Sequence, residues 1–180
     1  MSLPPDLKSQ FPLLSQTING HEIVYLDSAA SSQKPLVVIE AMNNYYRTIN
    51  ANVHRGAYEI AAQATESMEQ ARVRVARFIG APSPNEIVFT KNATESFNLI
   101  ARSWGGKNLG PNDVVLISDM EHHANIVPWQ ILAAEKGFEL RWIPLTPDGH
   151  LDLSQLDQLL DGVKMVSITA MSNVLGTLNP

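Results

Sequence analysis

Two adjacent histidines, His122 and His123, sit in the stretch DMEHHANIVPW at residues 119–129. Imidazoles can ligate a metal, move protons near neutral pH, or offer a flat face to an aromatic ring. Neighbouring residues on extended backbone point to opposite sides, so this pair suits one metal ion poorly. Stacking on a bound ring is geometrically easier, and a histidine that merely starts a helix is the plain alternative. TKNATES at residues 90–96 passes from a strand pattern into a helix pattern. The first N–H groups of a helix lack internal acceptors and its dipole is positive there, so an anion fits. Ala93 is small enough for close approach and Thr94 adds a hydroxyl donor, as a phosphate would need; an ordinary capped helix is the alternative. ANVHRGAYE at 51–59 places His54 and Arg55 on a glycine-containing loop, where a guanidinium could clasp a carboxylate or simply face solvent. SNVLGTLNP at 172–180 offers the amide of Asn173 and a turn at Gly176, or merely a strand exit.

These groups need elements to hold them. HEIVYLD (21–27) is expected as a strand, and Pro35 as the opening residue of a helix. Residues 64–79 form the clearest helix pattern, with Ala64, Met68, Ala71, Val75, Phe78 and Ile79 on one apolar stripe and Gly80 as its C-cap. EIVFT (86–90) is expected as a strand, and ATESFNLIARSW (93–104) as a helix capped by Asn92 with Glu95 three residues on. Strands are then expected over 113–118, 139–144 and 164–170, with helices over 125–137 and 153–161 between them. GGKNLG (105–110) lacks the GxGxxG spacing, and no GxxxxGK[ST] occurs, so this stretch is expected as a loop. Strand and helix alternate from Glu86 onward, which predicts an α/β sheet, largely parallel, flanked by helices. Ligands of such sheets bind beyond the carboxyl ends of the strands. That rule selects residues 90–95, 118–125 and 170–176.

The composition excludes several classes. At 180 residues and 44% hydrophobic, the chain can bury a core. A formal net charge of −5 gives no general attraction to nucleic acid or anionic lipid. No apolar run approaches the roughly 18 residues of a membrane span. The opening MSLPPDLKSQ lacks the pattern of a secretory signal, so a soluble intracellular protein is expected. The absence of cysteine rules out disulfides, cysteine-ligated metal and a cysteine nucleophile within these residues.

Six segments in this order, VYLDSAASSQKP, NVHRGAYE, EIVFTKNATESFNLIA, EHHANIVPW, PDGHLDL and MSNVLGTLNP, together resemble the group II (SufS-like) cysteine desulfurases of the aminotransferase class V family. The resemblance runs from about Phe11 to Pro180. It implies the large domain of a fold-type I pyridoxal-phosphate transferase, with residues 1–80 as an N-terminal helical arm and 81–180 as a first, incomplete part of that domain. The implied activity converts L-cysteine to L-alanine and an enzyme-bound persulfide. The sulfur then passes to a SufE-like or SufU-like acceptor for iron–sulfur cluster assembly. A homodimer is implied, with no nucleic acid or membrane partner, in the cytoplasm or in a plastid after removal of a transit peptide. By position, His123 is similar to the catalytic histidine that stacks on the pyridine ring, with His122 a neighbour that positions the turn. Ala93 and Thr94 match the phosphate-binding turn, and Asn173 an asparagine near the cofactor. Ala29, His54, Arg55 and Glu95 match the substrate side, and no metal is implied.

The resemblance also specifies groups not found here. Lys8, Lys34, Lys91, Lys107, Lys136 and Lys164 all lack the GHK-like context of the family's Schiff-base lysine. Lys91 stands where an arginine is common. The aspartate that pairs with the pyridine nitrogen, the nucleophilic cysteine and the later substrate-carboxylate arginine would lie beyond Pro180. The expectation is therefore the N-terminal portion of a cysteine desulfurase, inactive as a 180-residue chain. A selenocysteine lyase-like or other class V enzyme, or a non-catalytic dimerisation or binding module, is the alternative.

Overall fold

A computed structural model describes residues 6–180. The first five residues of the arm, where the stretch inspected for a signal begins, lie outside the described residues. The chain divides into two compact units after Val88.

The first unit begins with two short 3-10 turns, Leu7–Gln10 and Pro12–Ser15. A two-stranded antiparallel hairpin follows, β1 (Thr17–Ile18) and β2 (His21–Glu22). Asn19 and Gly20 join them with φ of 54° and 79°, the left-handed pair that a tight two-residue hairpin turn requires. The strand expected over 21–27 stops at Glu22, opposite Thr17; Ile23 N–H still reaches the Gln16 carbonyl at 3.4 Å, and no paired strand continues beyond it. Helix α1 (Leu36–Thr48) has Pro35 at its N-cap rather than within its first turn. Helix α2 (Glu59–Ile79) starts five residues before the expected Ala64 and ends as expected at Gly80. Gly80 is left-handed, and Ala81 N–H reaches back to the carbonyl of Ala76 at 2.9 Å, closing the helix end. A 3-10 turn, Pro84–Glu86, follows. Ile87 has extended backbone, but the strand expected over 86–90 is absent: β-branched residues favour extension, and extension without a neighbouring ladder is not a strand.

The second unit is an α/β layer. Helix α3 (Ala93–Ile100) runs into a π-helical turn, Ala101–Gly105, and then a short helix α4 (Gly106–Asn108). The loop expected over 105–110 is therefore helical through Asn108. Gly105 explains why. A Cβ there would lie 2.8 Å from Leu132 Cδ2 and 3.2 Å from Trp129 Cζ3, so glycine serves close packing rather than a chain break.

Strand β3 (Val114–Ser118) is central, with parallel β4 (Glu139–Ile143) and β5 (Val163–Ser167) on either side. Helix α5 (Val127–Lys136), with Pro128 in its first turn and a left-handed Gly137 after it, connects β3 to β4. Helix α6 (Leu156–Leu159) connects β4 to β5 and is shorter than the expected 153–161. The period of two along β3 divides the core. Val115 and Ile117 pack with Ala101, Leu109, Trp129, Leu132 and Phe138 on one face. Leu116 packs with Met120, Ile143 and Leu151 on the other. A strand buried on both faces reads as a continuous apolar run, as VVLI does. At the amino end of the sheet, Lys164 donates to the Asn108 carbonyl at 2.6 Å and pairs with Asp113 at 3.1 Å. That contact ties β5 to the entry of β3. Among the described residues no helix is long and apolar enough to cross a membrane.

Candidate functional site

Residues selected from the sequence lie at the start of α3 and beyond the carboxyl end of β3. Asn92 caps α3, its side-chain oxygen accepting from Glu95 N–H at 2.9 Å. The Glu95 carboxylate reaches back and accepts from Lys91 N–H at 2.6 Å. This reciprocal arrangement is a capping box displaced by one residue. The first intrahelical bond runs from Ser96 N–H to the Asn92 carbonyl. The N–H groups of Ala93 and Thr94 precede it and have no acceptor within the helix.

Beyond β3 the chain turns at His122. Its Nδ1 accepts from Ala124 N–H at 3.0 Å and caps the 3-10 turn His123–Asn125, so its ring proton sits on Nε2. His122 thus positions the turn, as expected. The two imidazoles lie nearly perpendicular, at 85° with centroids 6.2 Å apart. They do not point to opposite sides as extended backbone would have them, because the chain is already turning. Both line one cavity of about 260 Å³, with Thr94, Asn98, Ala124, Val127 and Pro128. The sequence-selected Thr94 and His123 are therefore brought together. Its lining combines the apolar side chains of Ala124, Val127 and Pro128 with a hydroxyl, an amide and two imidazoles.

Glu121 and Asn125, on either side of residues 122–124, form a buried polar network. The Glu121 carboxylate accepts from Ser118 Oγ at 2.6 Å, from Asn125 Nδ2 at 2.8 Å and from Thr169 N–H at 2.8 Å. Asn125, 2% exposed, also donates to the Ser167 carbonyl at 3.1 Å. Its oxygen accepts from Trp129 Nε1 at 2.9 Å and from Ser167 Oγ at 2.7 Å.

The other selected residues are placed as follows. Asn173 is exposed in a turn after β5 and is not among the residues lining the cavity. The turn is held by Ser172, whose hydroxyl accepts from Val174 and Leu175 N–H at 3.3 and 3.1 Å. The Glu95 carboxylate is engaged in the cap already described. In the first unit, Ala29 is exposed in the turn at 28–30. Arg55 is exposed on the loop between α1 and α2. His54 on the same loop has a left-handed φ of 68°, a conformation that costs a non-glycine residue roughly 1–3 kcal/mol. Thr65 Oγ1 accepts its N–H at 2.9 Å, and its Nε2 lies 3.2 Å from Glu69 Oε1.

Charge perturbation lies elsewhere. Hydrogen bonding to Lys164 holds the Asp113 carboxyl below its ordinary range. Arg141 does the same for Glu139, and Glu139 in turn raises Arg141. Both pairs stand toward the amino ends of the strands, away from the cavity.

The aminotransferase class-V family pattern matches residues 24–180. The chain belongs to this family. It is 52% identical to the cysteine desulfurases of Serratia proteamaculans (strain 568) and Salmonella gallinarum (strain 287/91 / NCTC 13346), over 182 aligned residues in each case. Those alignments cover all of this chain and 45% of each relative, so the chain spans less than half their length. The apo cysteine desulfurase from Thermococcus onnurineus NA1 superposes with a TM-score of 0.87 at 39% identity, covering 99% of this chain and 43% of that one. The S-sulfonic acid form of cysteine desulfurase CsdA from Escherichia coli gives 0.82 at 35%, with 99% and 44% covered. The α/β fold with a parallel sheet is thus the one implied by the resemblance.

Within this class-V fold, sequence reasoning missed the buried network of Glu121 and Asn125. Glu121 is an acid in a polar run and reads as solvated. A weak sign was available: Glu121, Asn125 and Trp129 recur every four residues after the apolar run VVLI.

Proposed function

We propose that this chain supplies the phosphate- and ring-binding part of a pyridoxal 5'-phosphate-dependent cysteine desulfurase, which converts L-cysteine to L-alanine and an enzyme-bound persulfide. The observation that carries this reading is the single cavity lined by both Thr94 and His123. The residues present fit the coenzyme. The α3 start and the Thr94 hydroxyl suit its phosphate, and the imidazole face of His123 with Ala124, Val127 and Pro128 suits an aromatic ring. When bound, the coenzyme supplies an electron sink at the substrate's α-carbon. Ala93 and Thr94 hold the phosphate, and His123 fixes the ring plane. Asn173 stands on the neighbouring turn as a cofactor contact. By their positions in the family pattern we assign Ala29, His54 and Arg55 of the first unit, and Glu95 of the second, to substrate binding, Glu95 acting through the Lys91–Glu95 cap.

We assign residues 1–80 by the family resemblance to an N-terminal arm and 81–180 to the first part of the cofactor-binding domain; among the described residues the compact units divide after Val88. The sulfur goes to a SufE-like or SufU-like acceptor for iron–sulfur cluster assembly in the cytoplasm. A homodimer is supported by α1, which buries none of its residues while Val37 is 72% and Tyr46 63% exposed. Turnover requires a lysine and a cysteine that these residues do not supply, since no lysine lines the cavity and the sequence has no cysteine.

Titration of pyridoxal 5'-phosphate into the full chain, followed by the imidazole resonances of His123, tests the reading. Binding is expected to shift them, and inorganic phosphate to compete. His123→Ala and Thr94→Val should each weaken binding by up to about ten-fold, the worth of one stacking or charge-assisted contact. Silence of His123 at saturating coenzyme refutes the site. Release of alanine from L-cysteine by the purified chain refutes the placement of the reacting groups outside it.

A further inference from the structure

We propose that Glu121 and Asn125 are positioning residues, a buried latch that fixes the His123 turn and the Asn173 turn to one another. The inference rests on the reading of those two turns as the coenzyme's surroundings. Its geometric basis is independent of that reading.

Burying a carboxylate in a core is unfavourable unless its oxygens are fully partnered. Glu121 is 9% exposed, and its three donors come from three segments. Ser118 is the last residue of β3, Asn125 leads into α5, and Thr169 lies just past β5. The far side of Thr169 is equally tied. Its carbonyl accepts from Asn179 Nδ2 at 2.8 Å, and its hydroxyl donates to the Met171 carbonyl at 2.7 Å. Asn179 N–H donates to the Ala170 carbonyl at 2.9 Å, closing the loop that carries Asn173. The path from His123 to Asn173 thus runs through Glu121, two residues before the first, and Thr169, four before the second.

Asn125 makes the latch directional. Its oxygen takes two donors, from Trp129 and Ser167, and its nitrogen faces Glu121 and the Ser167 carbonyl. The amide cannot flip without setting donor against donor on one side and acceptor against acceptor on the other. Only an acceptor at position 121 matches it. Nothing apolar, and no amide, can satisfy Asn125 and Thr169 together.

The test uses the isotopically labelled full chain without ligand. Glu121→Gln keeps the shape but turns an N–H₂ toward either Asn125 or Thr169. The amide of Thr169 and that of Ala124 are expected to exchange roughly ten- to a hundred-fold faster, as loss of a charge-assisted bond dictates. Val115 and Ile117 should keep their protection. Ser167→Ala removes a single donor to Asn125, a milder change that keeps the fold. It should shift the His123 ring resonances and those of residues 169–179 together. Glu121→Asp should restore part of the effect, because it retains the acceptors. Perturbation confined to one of the two turns overturns the latch, as does an equal loss of protection at Val115 and Ile117. Coenzyme titration of the unaltered chain is read separately. No response at His123, with the two turns still moving together in Ser167→Ala, overturns the cofactor reading and leaves the latch standing.

Discussion

Asn125 is the residue at which chemistry and stability separate most sharply. Asn125→Ala strips partners from the Trp129 indole N–H, one Glu121 oxygen and the Ser167 hydroxyl, all held between 2.7 and 2.9 Å. Trp129 is completely buried, so its N–H has no water to turn to. An unsatisfied buried group costs about 1–3 kcal/mol, and the hydroxyl can rotate, so a total loss of about 3 kcal/mol is expected. At a urea dependence of about 2 kcal/mol/M this lowers the midpoint by about 1.5 M. Asn125→Asp behaves differently. One oxygen keeps the Trp129 and Ser167 bonds, but the other stands where Nδ2 was, 2.8 Å from Glu121. Two carboxylates so close cannot both ionise, and one retains a proton. The shared proton is favoured by folding, so Asn125→Asp loses stability relative to Asn125→Ala as the pH rises from the unfolded carboxylate range toward neutrality. Urea titrations by far-ultraviolet circular dichroism across that range measure the difference. A constant gap between the variants from pH 5 to 7.5 would falsify the buried Glu121–Asn125 contact.

Two further outcomes follow from other parts of the second unit. Gly105→Ala places a methyl 2.8 Å from Leu132 in a close-packed core and should cost about 1–3 kcal/mol, read as a lower midpoint in thermal unfolding. If the variant melts with the parent chain, the π-helical turn is not as tightly seated as described. Hydrogen bonding to Lys164 lowers the Asp113 carboxyl, so the folded state holds that charge at lower pH than the unfolded chain. Its contribution is complete above about pH 4 and fades as the pH falls toward the folded value. Asp113→Asn should therefore flatten the acid limb of a stability–pH curve. An unchanged limb would show that the Lys164 contact carries no linkage.

The alternation of β3, α5, β4, α6 and β5 was legible because every one of those strands finds its partner within the chain. Where the partner is missing, the same residue types mislead. EIVFT has the composition of a strand, yet Val88 is 66% exposed and no ladder forms beside it. HEIVYLD fails beyond Ile23 for the same reason, the hairpin ladder being only as long as Thr17–Ile18 allow. GGKNLG errs in the opposite direction. Glycine propensity marks a break, but the contact of Gly105 with Trp129 and Leu132 outweighs it. Pairwise partners, which no local window contains, decided all three.

The same distinction separates the parts of the site. That Thr94 and His123 line one cavity was legible because each occupies a position fixed by local backbone: a helix start, and a turn beyond a strand. The local backbone also gave His122 its task of capping Ala124. Glu121 and Asn125 were not legible, since their partners Thr169 and Ser167, respectively, lie more than forty positions away. The physical need for them follows from the sheet. Parallel strands end together, and each leaves carbonyl and N–H groups at the edge where a ligand must bind. Water would satisfy them but would leave the two turns free to move. A carboxylate and an amide, mutually matched and inaccessible, satisfy them with the geometry fixed.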